Sequence, residues 1–374
     1  MNLHTGHKLE WVEFNPTMVC QAPLVKVQPD FRGKMTGCSY CYAADGMPHC
    51  LEEVPRFKQR ELSTDQIFKL VDNMVKLKIP RISILGGEPQ LREDFNEIIS
   101  YICKNIPYVN LTTNGINSNS HRETLLKVHQ IDISLDSHRV ALGRKTRPID
   151  VIKTALSTVD LLYKEHPFLC INAVVTPFTL DSLFEFIDWA FQERDIKKVN
   201  LYPIMDENLP ALYLGEASVT TLIGDLQKKY KTYREVYCKA GRHVIVNYDG
   251  TIIPCAAFLG NSTPLGTSLE DSLNSTIMKT YRSYDFRSVA PQDPTRFEST
   301  NCPGKKLFDS NWIEPQVSPS SENTYTDKIY CMRCNQLHQL GNECIFCGFS
   351  EFDTKQLSMV CGSFSILNPK YFSK

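Results

Sequence analysis

The sequence predicts an α/β fold, a partial (β/α)6, TIM-like barrel followed by a small cysteine-rich C-terminal extension. Strand-like apolar runs alternate with helical periodicity from Leu9 to about Ile204, and polar motifs follow several of the runs at their carboxyl ends. Alternating strands and helices favour a parallel sheet. In barrels of this kind, active sites lie at the carboxyl ends of the strands. The motifs at these ends are therefore candidate functional residues.

The predicted strands cover residues 9–14, 81–85, 108–112, 131–135, 168–175 and 197–203. The helices between them are amphipathic. The first helix begins at a predicted capping box of Ser63 and Gln66, and its apolar face carries Ile67, Leu70, Val71, Met74 and Val75. We expect the barrel to span 1–215, a helix and a cysteine hairpin 216–283, an irregular connection 284–330, and a cysteine-rich segment 331–374.

Composition narrows the class of protein. The 374 residues carry a formal net charge of −1, which gives no electrostatic basis for general nucleic-acid binding. No run of 18 apolar residues occurs and residues 1–7 lack a signal-like core, so we expect a cytoplasmic protein without membrane contact. In that compartment, 14 cysteines indicate metal sites more than disulfides.

The sequence Cys38-Ser39-Tyr40-Cys41 is the most informative motif. Two cysteines separated by two residues can hold part of an iron–sulfur cluster, and Cys20, at the end of the first apolar segment, can supply a third thiolate. Three thiolates on a [4Fe–4S] cluster leave one iron open for a ligand. Cys50 competes with Cys20 for the third position, and a structural zinc knuckle is the alternative site.

Further motifs follow the second, third and fourth strands. In Gly86-Gly87-Glu88-Pro89, the two glycines allow the backbone to approach a ligand closely, and the Glu88 carboxylate can accept hydrogen bonds from an ammonium group. The alternative is a simple tight turn between a strand and a helix. Thr112-Thr113-Asn114-Gly115 ends the third strand. Ser134 and Asp136 share one face at the end of the fourth strand, where they can bind polar groups.

Taken together, these motifs resemble the radical S-adenosylmethionine (SAM) superfamily. Lys34 occupies the place of the first cysteine in the usual C-x3-C-x2-C loop, so the resemblance implies an expanded C-x17-C-x2-C loop from Cys20 to Cys41. The implied cofactors are a [4Fe–4S] cluster on Cys20, Cys38 and Cys41, and SAM. The residues implied in SAM binding are Tyr40, Gly86, Gly87, Glu88, Thr113, Asn114, Ser134, Asp136, Arg144, Arg147 and Tyr202. For the two arginines a solvated salt bridge is the alternative, and for Tyr202 a packed barrel aromatic.

The C-terminal third resembles the SPASM extension of radical SAM enzymes, which holds auxiliary iron–sulfur clusters. Cys238 and Cys255 flank a predicted hairpin with the turn Asp249-Gly250, and a later block contains two C-x2-C pairs. The resemblance implies one or two auxiliary [4Fe–4S] clusters, with Cys302 as a further candidate ligand. The alternative is zinc at the two C-x2-C pairs. The implied ligands are Cys238, Cys255, Cys331, Cys334, Cys344, Cys347 and Cys361.

The resemblance implies an enzyme that reductively cleaves SAM to a 5′-deoxyadenosyl radical, which removes hydrogen from a substrate. A peptide or protein side chain is the leading substrate class, a small molecule or nucleoside is the second, and a non-catalytic metal-binding protein is the third. A flavodoxin or ferredoxin would supply the electron. No catalytic residue is assigned, and the sequence does not name the substrate.

Overall fold

The architecture was analysed in a computed structural model. It describes residues 9–22, 28–29, 35–41, 46–48, 50–204, 211–234, 243–254, 265, 268–283, 328–331, 336–339 and 364–371. Within these ranges, no helix is long and apolar enough to cross a membrane.

A ten-stranded sheet forms the centre of the molecule, in the order β11-β10-β1-β4-β5-β6-β7-β8-β14-β9. Neighbouring strands from β10 through β1 to β8 are parallel, and β11, β14 and β9 pair antiparallel to their neighbours. The strands are β1 Trp11–Phe14, β2 Gln28–Pro29, β3 Met35–Thr36, β4 Arg81–Ile84, β5 Tyr108–Thr113, β6 Gln130–Ser134, β7 Leu169–Val175, β8 Lys198–Pro203, β9 Lys231–Arg234, β10 His243–Val246, β11 Ile252–Ile253, β12 Lys328–Cys331, β13 Gln336–Gln339 and β14 Phe364–Leu367. The pairs β2–β3 and β12–β13 form two small separate sheets.

The helices follow the strands as the periodicity predicts. They are α1 Val54–Lys58, α2 Thr64–Lys76, α3 Phe95–Asn105, α4 Arg122–Leu125, α5 Val140–Gly143, α6 Ile149–Leu162, α7 Leu183–Asp188, α8 Glu216–Lys229, α9 Leu269–Asn274 and α10 Thr276–Ser283. Short 3-10 turns cover Leu51–Glu53, Pro89–Leu91 and Leu180–Ser182, and a π turn covers Trp189–Glu193.

The prediction of the first amphipathic helix is confirmed, with one exception. The capping box at the start of α2 is present, since Ser63 accepts from the Gln66 backbone and the Gln66 side chain accepts from the Ser63 backbone. Ile67, Val71 and Met74 are buried. Val75 was expected on the same face but is 48% exposed, because it lies at the edge of the apolar stripe rather than at its centre.

The six predicted strands match β1 and β4–β8, with boundaries shifted by one or two residues. The predicted α/β fold with a parallel sheet is therefore confirmed, and the sheet is an open one in which β9 and β11 are the two edges. The hairpin predicted around Asp249-Gly250 is also present, with β10 and β11 as its strands. The positive φ of Gly250, 82°, is the conformation that glycine adopts without strain.

The C-terminal strand β14 was not predicted as part of the barrel. It pairs with β8, with Phe364 opposite Leu201 and Leu367 opposite Lys198. Ile366 is fully buried, so this short strand contributes to the main core. The end of the described chain is thereby attached to the barrel. The domain boundaries given above stay predictions.

Candidate active site

The segment that carries Cys20 lies beside the turn between β4 and α3. The backbone N–H of Gly87 donates to the Thr17 carbonyl at 2.8 Å, and that of Glu88 donates to the Val19 carbonyl at 2.9 Å. These bonds continue the pairing of β1 with β4 past the ends of both strands. Cys20 is thus brought to the Gly-Gly-Glu-Pro turn at the carboxyl edge of the sheet.

The two glycines of this turn are required by the closeness of the two backbones. A Cβ atom at Gly86 would lie 2.3 Å from the Thr17 carbonyl oxygen, and one at Gly87 would lie 2.3 Å from the Val19 carbonyl oxygen. Gly86 also has a φ of 106°, a conformation that other residues rarely adopt. Larger residues here would push the Cys20 segment away from the sheet.

The three cysteines of the predicted cluster loop contact one small apolar cluster. Cys20 is 6% exposed, while Cys38 and Cys41 are partly buried against the same group of side chains. The other buried members are Met18, Ala22, Met47, Val151 and Tyr248. Cys50 is exposed and lies outside this cluster, at the start of a 3-10 turn.

The surroundings of Cys20 and Cys38 favour the protonated form of these two thiols. Burial raises the pKa of Cys20 well above its usual value, and repulsion from a Cys38 thiolate adds to the effect. Burial raises the pKa of Cys38 to about 12, against the attraction of the nearby Arg147 guanidinium. Metal ligation requires thiolates, so cluster assembly here would release protons.

The donor set fits an iron–sulfur cluster. Three thiols converge on one cluster of side chains, and thiolates are the soft ligands that such clusters prefer. Among the described residues, no three Cys, His, Asp or Glu side chains are placed to hold a single metal ion. In a four-iron cluster each cysteine binds a different iron, so the three sulfurs need not meet around one point.

Glu88 is buried at the centre of a hydrogen-bond network. It is 1% exposed, and its Oε1 accepts from the Thr113 hydroxyl at 2.8 Å and from the Gln90 backbone at 3.2 Å. Its Oε2 accepts from the Asn114 backbone at 2.7 Å. Burial raises the pKa of Glu88 to about 7, while these bonds oppose the rise. The carboxylate therefore fixes the end of β5 against the β4 turn, and its predicted bond to the SAM ammonium stays a prediction.

Asn114 links this network to Cys20. Its side-chain amide donates to Cys20 Sγ at 3.5 Å, and its Oδ1 accepts from Gln21 Nε2 at 2.8 Å. The next residue, Gly115, has a φ of 93°, and a Cβ there would lie 2.4 Å from the Thr158 hydroxyl oxygen. The Thr158 hydroxyl donates to the Gly115 carbonyl at 3.0 Å. Close packing of α6 thus explains the glycine of the Thr-Asn-Gly sequence.

Asp136 and Arg147 form a buried ion pair beneath the cysteine loop. Arg147 Nε donates to Asp136 Oδ2 at 2.8 Å and Nη2 donates to Oδ1 at 3.1 Å. Oδ1 also accepts from the Val174 backbone at 3.0 Å, and Oδ2 accepts from the Tyr40 hydroxyl. The Arg147 guanidinium lies 5.2 Å from the centre of the Tyr40 ring. Both charged groups, predicted to bind SAM, are engaged here in holding the loop of Cys38 and Cys41.

A second attachment of the loop comes from Ser39. Its backbone N–H and its hydroxyl both donate to the Thr146 carbonyl, at 2.9 and 3.1 Å. Thr146 also donates its hydroxyl to Asp136 Oδ2 at 3.3 Å. The loop is therefore positioned by the segment between α5 and α6.

The three other predicted SAM-binding residues lie at the ends of β6 and α5 and on β8. Ser134 is partly buried at the end of β6, opposite Asn172 of β7. Arg144 is exposed at the end of α5, and Tyr202 is 36% exposed on β8. The predicted auxiliary ligands Cys238, Cys255, Cys334, Cys344, Cys347 and Cys361, and the candidate Cys302, lie outside the described residues, as does the side chain of Cys331 at the end of β12.

Sequence reasoning missed three polar side chains of this site. Gln21 binds Asn114, Thr146 binds Asp136, and Gln90 donates to the Thr113 hydroxyl at 2.7 Å. Each is adjacent to or near a recognised motif in the sequence, and this proximity was the available signal. Their side-chain types alone are common in loops and carry no specific chemistry.

The comparisons with known proteins agree with this geometry. The model of the radical SAM superfamily matches residues 34–190. A probable GTP 3′,8-cyclase of Methanococcus maripaludis is 41% identical over 221 residues, which cover 52% of this chain and 74% of that protein. This chain belongs to the radical SAM superfamily. Superfamily membership implies an enzyme with a [4Fe–4S] cluster and SAM.

Other relatives share shorter or more distant segments with this radical SAM protein. A probable GTP 3′,8-cyclase of Methanococcus vannielii is 25% identical over 62% of this chain and 85% of its own length. The matches to the GTP 3′,8-cyclases of Rhodococcus opacus and Synechocystis cover 44% and 58% of those proteins. The mycofactocin maturase MftC of Mycolicibacterium smegmatis is 28% identical over 37% of this chain and 36% of its own length.

Solved structures confirm the fold. SuiB of Streptococcus suis, bound to its precursor peptide SuiA, superposes with a TM-score of 0.55 at 16% identity, covering 80% of this chain and 70% of SuiB. Native anSMEcpe with bound AdoMet superposes with a TM-score of 0.54 at 16% identity, covering 72% of this chain and 82% of anSMEcpe.

Proposed function

We propose that this radical SAM enzyme cleaves SAM reductively and abstracts hydrogen from a bound substrate, with Cys20, Cys38 and Cys41 as the ligands of its cluster. The observation that supports this most directly is the meeting of three thiols and the Glu88 network at one edge of the sheet. When bound, the cluster and SAM would supply a 5′-deoxyadenosyl radical for hydrogen abstraction.

The chain's own residues contribute positioning. The Asp136–Arg147 pair holds Tyr40, and with it the two cysteines on either side. The Glu88 backbone N–H, which donates to the Val19 carbonyl, and the Asn114 amide, which donates to Cys20 Sγ, hold the Cys20 segment. Because the two supports belong to different strand ends, they fix the separation of Cys20 from Cys38 and Cys41. Fixed ligand geometry is the protein's main means of placing a cofactor.

The leading substrate class is a peptide or protein side chain. It is supported by the SPASM-like spacing of the C-terminal cysteines and by the similarity to a protein named as a maturase. A small molecule or nucleotide is the second class, which the similarity to proteins named GTP 3′,8-cyclase supports. A flavodoxin or ferredoxin is the proposed electron donor.

One or two auxiliary [4Fe–4S] clusters are proposed for the C-terminal cysteines, with zinc at the two C-x2-C pairs as the alternative. The physical basis is the number of thiols. A zinc ribbon uses four cysteines, whereas the segment from Cys238 to Cys361 contains these four and three further candidates in the predicted set.

Anaerobic reconstitution tests the proposed activity. The full chain with iron, sulfide, SAM and dithionite should form 5′-deoxyadenosine, detected by chromatography. Cys38→Ala and Cys41→Ala should abolish the product, whereas Cys170→Ala, a buried thiol on β7, serves as the control for loss of a cysteine. Equal 5′-deoxyadenosine formation by wild type and the Cys38 variant would refute the proposal.

A further inference from the structure

One polar row crosses three neighbouring strands on the face of the sheet that is turned away from Val12 and Ile82. Glu13 of β1 lies opposite Ser83 of β4, and Ser83 lies opposite Asn110 of β5. Because side chains alternate along a strand, these residues face away from the side of Val12 and Ile82. Ser83 and Asn110 are each 7% exposed. Glu13, Ser83 and Asn110 together form the acceptor row.

The acceptor row contains one fully buried polar atom without a partner in the described chain, Asn110 Oδ1, and a partly buried carboxylate, that of Glu13. Asn110 Nδ2 donates to Asp132 at 3.1 Å, but Asn110 Oδ1 has no hydrogen-bond partner among the described residues. Within the part of the chain that the structure describes, Glu13 and the Ser83 hydroxyl form no hydrogen bond, and Glu13 forms no ion pair. Buried polar groups are normally satisfied, so groups left open indicate a missing partner.

The polar side chains Asp132, Asn172 and Asn200, on β6, β7 and β8, are satisfied. Asn200 donates to Asn172 Oδ1 at 2.7 Å, and the Ser365 hydroxyl donates to Asn200 Oδ1 at 2.6 Å. Asp132 accepts from Gln130 at 2.8 Å as well as from Asn110. Asn110 Oδ1 is therefore left open beside polar groups that are satisfied toward β6, β7 and β8.

No cation of the described chain neutralises Glu13. The nearest arginine along β4, Arg81, lies opposite Trp11 and has its guanidinium 5.2 Å from the centre of the Tyr108 ring. Burial alone raises the pKa of Glu13 to about 7. In the described part of the chain, neither the Glu13 carboxylate nor Asn110 Oδ1 has a donor, so the row presents acceptors of hydrogen bonds.

We infer that the acceptor row binds a planar N–C–N group with paired N–H donors on the substrate, an inference that rests on the proposed function. A carboxylate accepts two parallel hydrogen bonds from such a group, as it does from a guanidinium. Asn110 Oδ1 and the Ser83 hydroxyl add further acceptors in the same row. Two kinds of ligand contain such a group. One is the guanidinium of an arginine side chain, and the other is the edge of a guanine nucleotide that carries the 2-amino group and the ring N–H.

Binding of paired probes to the full-length, anaerobically reconstituted protein distinguishes these sources. Arginine amide is compared with lysine amide, which lacks the planar donor pair, and GTP is compared with ITP, which lacks the 2-amino group. In isothermal titration calorimetry, either arginine amide or GTP should bind with an affinity about tenfold or more higher than that of its counterpart, lysine amide or ITP. Preference for arginine amide identifies the side-chain source, and preference for GTP identifies the nucleotide source.

Substitutions test whether the acceptor row causes this difference in affinity. Glu13→Gln and Asn110→Ser should each remove most of it, while Glu97→Gln, on the exposed face of α3, should retain it. Circular dichroism and iron content establish that each variant is folded. If Glu13→Gln does not fold, the Asn110→Ser variant alone tests the inference. Absence of any preference in the wild-type protein, or its retention in a folded row variant, would overturn the inference. SAM cleavage by the wild type, measured separately, tests the proposed function alone.

Discussion

Asp136 and Arg147 are joined by two hydrogen bonds and are almost completely buried, with side-chain exposures of 1% and 9%. The pair connects the end of β6 to the loop that carries Cys38 and Cys41, because Asp136 also accepts from the Tyr40 hydroxyl. Attraction to the Asp136 carboxylate keeps the pKa of Arg147 well above its usual value, despite burial. The cysteine loop therefore depends on a charge pair in the interior.

Asp136→Asn should destabilise the protein strongly. The substitution leaves the Arg147 guanidinium buried without its counter-charge, and breaking such a pair costs about 3–5 kcal/mol. Urea unfolding measures this loss. The matched control is Glu185→Gln, which removes the charge that pairs with Arg139 and contacts His138 at the surface, and it should change the free energy of unfolding by less than about 1 kcal/mol. Similar values for the two variants would show that the buried pair has no special role.

Cys20→Ala should abolish 5′-deoxyadenosine formation, whereas Cys50→Ala should not. Cys20 contacts the same apolar cluster as Cys38 and Cys41, while Cys50 is exposed outside it. The measurement is product formation under dithionite together with iron content. Activity that survives loss of Cys20 but not of Cys50 would reverse the assignment of the third ligand.

Glu88→Gln should weaken SAM binding by about tenfold or more, since a charged hydrogen bond is replaced by a neutral one. Glu88 accepts hydrogen bonds from the backbone N–H groups of Asn114 and Gln90. The amide NH2 of the glutamine would place a second donor beside one of these N–H groups. Equilibrium binding of SAM to the reconstituted protein gives the affinity, and iron content should be unchanged. Glu93→Gln, at an exposed position in the same connection, is the control. Unaltered SAM affinity would leave Glu88 with its structural role only.

Glu13 should make the protein less stable as the pH rises. Its folded pKa is raised from 4.5 to about 7, so the folded state holds more protons than the unfolded state in this window. The free energy of unfolding therefore falls as the pH rises from 4.5 to about 7. Relative to wild type, Glu13→Gln should gain about 2–3 kcal/mol between pH about 5 and about 8, measured by urea unfolding. A difference that does not change with pH would contradict this.

Iron should remain in a protein that lacks the first cluster. The triple variant Cys20→Ala, Cys38→Ala, Cys41→Ala removes the proposed SAM-site ligands, so iron that it retains after reconstitution belongs to the C-terminal cysteines. Metal analysis and absorption spectra provide the readout. One zinc and no iron would establish the zinc alternative instead.

Local patterns in the sequence were sufficient to predict most of the strands and helices of the barrel. The six barrel strands, the capping box of Ser63 and Gln66, and the hairpin at Asp249-Gly250 depend on residues close together in the chain, and all are present. β14 was missed because its four residues join the sheet through a partner more than 160 positions away. Nothing local to Phe364–Leu367 specifies that pairing.

For the candidate site, the sequence by itself determined the superfamily, the cofactors that it implies and the edge of the sheet where the motifs gather, because motif spacing is read directly along the chain. The tertiary structure decided which partners those side chains have. Glu88 and Arg147 resemble free ligand-binding groups in the sequence, yet both are buried with intramolecular partners. Glu13 has no distinguishing sequence signal, and it has no hydrogen-bond or ion-pair partner within the described residues. Burial and pairing arise only when distant strands are placed side by side, so they are properties of the folded chain.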